Sequence, residues 1–236
     1  MPHILDRLAA HRRAMQGILH CGLAKAHRGN PTASLRLERS YGAPVLLSGV
    51  ASLVLSNSEL SVLHQQYKSC VRQLLRLPIT TPESFIMFFA GALPATAIVH
   101  LRTLSLFGMI SRLGSKGILD RLGRHALLTA CNKGSWFLAA RRICQKYSLP
   151  DPLIVLQRPL PKARWKSLCK SKVVRWWEEQ FRGEADGLTS LLNFNPLFFS
   201  LTQTHRTLSL AGSPHEVSKA STVMLMLSGK YFTCYH

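Results

Sequence analysis

Ser40–Ser58, SYGAPVLLSGVASLVLSNS, is a run of nineteen residues without a charge, and Glu59–Pro78, ELSVLHQQYKSCVRQLLRLP, follows it directly. The first segment is apolar on most of its faces, so a soluble fold must surround it. In the second, Leu60, Leu63, Tyr67, Val71 and Leu74 recur at steps of three or four, which is one face of a helix. The pair reads as a buried helix and its cover, with the other helices packed around them.

Working outward, Ile4 to about His27 reads as a helix. Leu8, Met15, Ile18, Leu19 and Leu23 lie on one side, and Arg7, His11, Arg12, Arg13 and Lys25 dominate the other. Asn30 before Pro31 is a helix start, because the Asn oxygen can cap free amides and proline suits the first turn. Gly42 and Pro44 should kink or divide the helix that follows. Ser56 with Glu59 fits a capping box, and Pro78 should stop the helix it opens by Leu77.

Gly91 and Pro94 should divide two apolar helices that end near Leu113. Helices are then expected over Ile118–Ala130, Ser135–Tyr147 and Lys162–Phe181. A last one opens at the Ser213–Glu216 capping box and reaches Leu227. No window alternates as a strand would. The expected fold is mostly α, an irregular multi-helix bundle. Four prolines (Pro150, Pro152, Pro159 and Pro161) mark 149–161 as a linker. It would separate a helical region at 79–148 from 162–236, which holds a basic Trp-containing helix, a loop-rich stretch and a C-terminal helix.

The chain has 236 residues, 47% hydrophobic and 17% charged, which argues against disorder. Its 30 Lys and Arg face 11 Asp and Glu, a net charge of +19. Such an excess favours a polyanionic partner, either nucleic acid or an anionic membrane surface. The amino terminus, MPHILDRLAAHRR, lacks the apolar core of a signal peptide, so an intracellular setting, nuclear or cytoplasmic, is the expectation. Ser40–Ser58 and Ser84–Leu101 approach membrane-spanning length, but Gly, Pro and hydroxyl residues interrupt both, and they read as core helices. A second reading takes 40–58 and 84–101 as membrane spans; a third takes the chain as the product of a decayed element without function.

Chemistry-bearing patterns are sparse. The four aspartates, Asp6, Asp120, Asp151 and Asp186, are far apart, and the one acidic doublet, Glu178–Glu179, diverges around a helix. That argues against a two-metal nuclease or polymerase centre. The six cysteines form no CxxC pair, and neither GxSxG, GxxxxGK[ST] nor GxGxxG occurs. No catalytic residue, cofactor or metal ligand is therefore expected. Cations remain. Lys68, Arg72 and Arg76 step by four and form a stripe. With Arg12, Arg13, Lys25, Arg141, Arg142, Lys162, Lys166, Lys170, Lys172 and Arg175, they are the candidate phosphate contacts to RNA or DNA. Trp165, Trp176 and Trp177 read first as core, with one of the last two buried; the alternative is stacking on unpaired bases.

Several segments occur in an order with a family parallel. They are HRRAMQGILHCGL (His11–Leu23), SLRLERSYGAPVLLSGVASL (Ser34–Leu53), YKSCVRQLLRLP (Tyr67–Pro78) and AGALPATAIVHLRTLSLFGMISRL (Ala90–Leu113). KGSWF (Lys133–Phe137), YSLPDPL (Tyr147–Leu153), AGSPHEVSKA (Ala211–Ala220) and LSGKY (Leu227–Tyr231) complete the series. Nearly the whole chain resembles the region that follows the reverse-transcriptase palm in LINE-type non-LTR retrotransposon polyproteins. The resemblance implies that residues 1–78 are thumb-like and grip a template–primer duplex, and that the remaining helices help hold RNA and target DNA. The family's endonuclease and its palm with a Tyr/Phe-Ala-Asp-Asp box have no counterpart here, and VMLML (Val223–Leu227) replaces charged family positions. The implied product is a truncated, non-catalytic fragment. A separately encoded palm would be its protein partner.

Overall fold

The computed structural model describes residues 2–20, 30–114, 117–129, 134–191, 194–195, 199–211 and 213–229. Among them the chain is all-α, without a strand. In order come α1 (Pro2–His20), α2 (Pro31–Leu37), a π-helical turn (Glu38–Gly42), α3 (Ala43–Leu46), α4 (Asn57–Leu74), α5 (Glu83–Ala90) and α6 (Ala95–Ser111). Then follow α7 (Ile118–Thr129), α8 (Trp136–Lys146), α9 (Pro152–Gln157), α10 (Lys162–Asp186), α11 (Arg206–Ser209) and α12 (Pro214–Leu227). Two compact units share these elements: Met1–Ser48, Ser58–Ala95 and Trp177–His236 form the first, and Gly49–Asn57 with Thr96–Trp176 the second.

Helix ends follow local chemistry. Asn30 accepts from the amides of Thr32 and Ala33 with Pro31 behind it, and Ser213 with Glu216 closes the capping box of α12. Helix α4 ends in a Schellman pattern: Leu77 N–H donates to Arg72 C=O, and Arg76 N–H to Gln73 C=O. Arg76 occupies the left-handed region at φ 56°, a place usually held by glycine.

In the first unit, α5 is the central element: every residue from Ser84 to Ala90 is buried. Phe85, Phe88 and Phe89 meet Phe181, Phe194, Phe199 and His205 in one aromatic cluster. The carbonyls at the end of α5 are covered by polar donors. Arg39 donates to the Ala90 and Gly91 carbonyls, Thr204 Oγ1 to Ala90, and His205 N–H to Phe89. Gly91 lies at φ +62° against the Gln203 backbone, where a Cβ would come within 2.1 Å of it.

The expectation that Ser40–Ser58 forms one buried helix is corrected. The segment breaks into the π-turn, α3, a left-handed turn at Gly49 and a 3-10 turn at Val50–Ser52. Leu46, Leu47 and Val50 are buried, whereas Leu53 and Val54 are exposed. The glycines and proline inside the run deny it a continuous hydrogen-bond ladder. Of the apolar face expected on the following helix, α4 buries Leu63, Tyr67, Val71 and Leu74 and adds Cys70, while Leu60 is half-buried; α3 packs on α1.

In the second unit, α7, α8 and α9 pack on one another. Arg124 bonds buried Asp120 at 2.8 Å and the Leu156 carbonyl, and Arg141 pairs with Asp151 at 2.9 Å. The proline-rich stretch read as a linker contains α9, with Pro152, Val155 and Leu156 buried, and lies within this unit. Trp136 Nε1 donates to the Ala51 carbonyl, which ties segment 49–57 to α8. His100 Nδ1 lies 2.7 Å from the Tyr147 hydroxyl.

Candidate nucleic-acid interface

Helices α6 and α10 line a groove of about 720 Å3 in the second unit. One hydrogen bond and one missing side chain set its form. Trp165 Nε1 donates to the Leu104 carbonyl at 2.8 Å. The indole also lies against Gly108, where a Cβ would sit 2.2 Å from its ring. Glycine at 108 therefore lets α10 seat its tryptophan against the α6 backbone. Ile98, Leu101, Leu106 and Met109 from α6 and Trp165 and Cys169 from α10 line the groove with apolar surface.

Arg102, Arg112, Lys162, Lys166 and Lys170 bring charge to the same groove, and among the described residues no acidic side chain lines it. The three lysines follow an i, i+4, i+8 row, about 6 Å apart along the helix axis, and all are exposed. Burial in the wall lowers the Arg102 guanidinium pKa. Arg112 Nη1 is buried without a hydrogen-bond partner. Buried guanidinium nitrogens are ordinarily paired, so Arg112 Nη1 is an unsatisfied donor beside the groove. Burial pushes the Cys169 thiol up to about 12, which favours its protonated form at neutral pH.

The other predicted cations are distributed differently. Lys68 pairs with Glu83 at 3.4 Å, beside the 2.6 Å His64–Glu83 contact. Arg72 donates to the Ile79 carbonyl and to Ser69 Oγ. Arg76 lies past the end of α4. The three do not form the expected helical stripe. Arg141 is engaged by Asp151 and the Leu127 carbonyl, while Arg142 is exposed. Arg12 and Arg13 are exposed on α1, with Arg12 Nε 3.4 Å from Gln66 Oε1. Lys172 and Arg175 are exposed on α10 but do not line the groove, and Lys25 lies outside the described residues.

Trp165 is core, as expected, and is closed to base stacking. Trp176 and Trp177 are both half-buried, a departure from the expectation that one would be fully inside. Lys146 Nζ lies 4.1 Å above the Trp176 ring, which Tyr147 meets edge-on, and Trp177 packs on Phe181.

Comparison with family models, curated proteins and solved structures finds no match. Sequence reading missed Arg102 and Arg112 because they lie in, and one residue past, a helix whose apolar content dominates. The signal is present nonetheless: 98, 102, 105, 109 and 112 share the spacing of one helix face.

No single helix is long and apolar enough to cross a membrane among the described residues. Only α5 and α6 taken together satisfy length and composition, and the pair is bent at its break.

Proposed function

We propose that this chain is a non-catalytic fragment of retrotransposon reverse-transcriptase ancestry that binds the backbone of RNA or DNA through a basic groove. The observation that carries the binding is the convergence of Arg102, Arg112, Lys162, Lys166 and Lys170 on one groove without a carboxylate. In such a setting each cation can neutralise a phosphate and release a counterion. The net charge of +19 adds long-range attraction, and the order of the sequence motifs supports the ancestry. Two aspartates, Asp120 and Asp151, are held in arginine pairs, which is support for a binding role over a metal-dependent one.

The test is filter binding of single-stranded RNA and duplex DNA over increasing salt. Five engaged cations should give a log–log slope of roughly −3.5 on single strands and −4.5 on duplex. Affinity indifferent to ionic strength refutes the proposal. Binding to phosphatidylserine vesicles with none to either nucleic acid would replace it with an anionic-membrane role. Magnesium-dependent nucleotide incorporation by the pure chain would overturn the non-catalytic part, and an in-frame palm remnant immediately upstream of Met1 in the genome would support the ancestry.

A further inference from the structure

The interior of the first unit holds a polar cluster that backbone binding does not use. His11 on α1, Glu38 at the start of the π-turn and Cys70 on α4 converge, and one ligand atom from each lies within 4.8 Å of the other two. All three residues are buried, His11 completely so. Both ring nitrogens of His11 and both carboxylate oxygens of Glu38 lack a hydrogen-bond partner. Four adjacent buried polar atoms without a protein partner run against the rule that buried polar groups are satisfied, at about 1–3 kcal/mol each.

Their chemistry narrows what would satisfy them. A bridging water would need only the nitrogen and the oxygens, whereas the third member here is a thiol, a poor hydrogen-bonding group but a strong metal ligand once ionised. Imidazole, thiolate and carboxylate together are a zinc set. Ideal tetrahedral bonds would place such atoms roughly 3.5 Å apart. The observed limit of 4.8 Å leaves about 1 Å of inward movement, within the reach of side-chain torsions. Charge is consistent too: one carboxylate and one thiolate neutralise a divalent ion.

Local structure favours the same reading. The π-turn widens the helix where Glu38 sits, and such bulges concentrate at functional positions. Gly42 faces the carboxylate, and a Cβ there would meet Glu38 Oε1 at 3.5 Å and Met15 Sδ at 3.2 Å. Burial lowers the His11 pKa to about 4, raises that of Glu38 to about 7 and pushes the Cys70 thiol well up, so at neutral pH the imidazole and thiol are uncharged and the carboxyl is about half protonated. On ion binding the carboxyl and thiol protons would leave to solvent.

We infer that His11, Glu38 and Cys70 form a three-ligand zinc site, its fourth position open to a water, that ties α1, the π-turn and α4 together. The full-length chain, freed of metal with a chelator, is titrated with cobalt(II) as a spectroscopic stand-in and separately with zinc(II). The expected results are one equivalent bound, a thiolate-to-cobalt charge-transfer band, intense tetrahedral d–d bands, and a zinc-dependent rise in Tm. Cys70→Ala should abolish the charge-transfer band with the circular dichroism spectrum retained, and Glu38→Gln should weaken zinc binding at least tenfold. Absence of the band in the wild-type chain overturns the site without reference to any variant's folding. Persistence of the band in Cys70→Ala overturns it by placing the ion on another thiol.

Discussion

Two rows of three cations share one spacing, Lys68–Arg72–Arg76 beginning on α4 and Lys162–Lys166–Lys170 on α10, and the fold treats them differently. On the first, Glu83 takes Lys68, the Ile79 carbonyl takes Arg72, and the helix ends before Arg76. On the second, all three lysines remain exposed along an apolar groove with no acidic side chain in its lining. Periodicity places charges on one face, but binding capacity depends on what the face meets. A lysine already paired with a carboxylate of its own chain has fewer counterions to exchange with a phosphate, and an arginine held to a backbone carbonyl must leave it to reach one.

The strongest way to break this comparison is the triple substitution Lys162→Gln, Lys166→Gln and Lys170→Gln. We expect roughly a 100-fold loss of nucleic-acid affinity at moderate salt and a slope shallower by about 2–3. The matched triple at Lys68, Arg72 and Arg76 should change affinity by less than about threefold. Equal losses in filter binding would erase the distinction.

Acid titration probes the unit that carries the groove. Burial, reinforced by the Lys146 charge, lowers the His100 pKa to about 4 in the fold, against 6.5 for the unperturbed side chain. The unfolded chain therefore takes up the proton first, and stability is lost as pH falls from about 6.5 towards 4, by about 2–3 kcal/mol. Chemical denaturation at several pH values should show a flatter dependence in His100→Gln, which retains a polar partner for the Tyr147 hydroxyl. An unchanged slope would mean that His100 is already protonated in the native state.

Glu83→Gln sharpens the comparison from the other side by releasing Lys68. We expect affinity to rise a few-fold, with a slope steeper by about 0.7–0.9. Burial raises the Glu83 pKa, but the His64 hydrogen bond and the His64 and Lys68 charges outweigh it, and the net shift is downward. The stability from this group is present above the usual carboxylate range and lost as pH falls through the lowered value. The variant should lack that acid-limb loss.

The smallest expected effect is Arg76→Gly. Glycine suits the left-handed position, so the variant should gain about 0.5–1 kcal/mol in thermal unfolding with unchanged binding. A marked fall in affinity would return Arg76 to the interface.

His11 was assigned to the basic side of α1, yet Leu8, His11, Met15 and Ile18 follow one helical face, and the structure buries all four. The spacing was legible; the polarity of the residue argued against using it. The uncharged run at Ser40–Ser58 drew attention by composition, whereas α5, only eight residues long, is the buried element of its unit. A helix apolar all round has no periodicity to distinguish it, and only its neighbours reveal its place.

What the amino-acid order determined by itself was local: helical class, the caps at Asn30 and Ser213, the breaks at Gly91 and Pro94, and a cationic surface; the break expected at Gly42 falls instead at Gly49, since the backbone stays helical through Gly42 into α3. These depend on contacts within a few residues, where backbone geometry and short side chains act alone. Tertiary structure decided the rest. Glu83 meets Lys68 across fifteen positions, Arg112 shares a groove with Lys162, and Glu38 is brought to His11 and Cys70. Such partners are chosen by how helices pack, because burial is set by every surface that closes on a residue and no short stretch of chain contains that information.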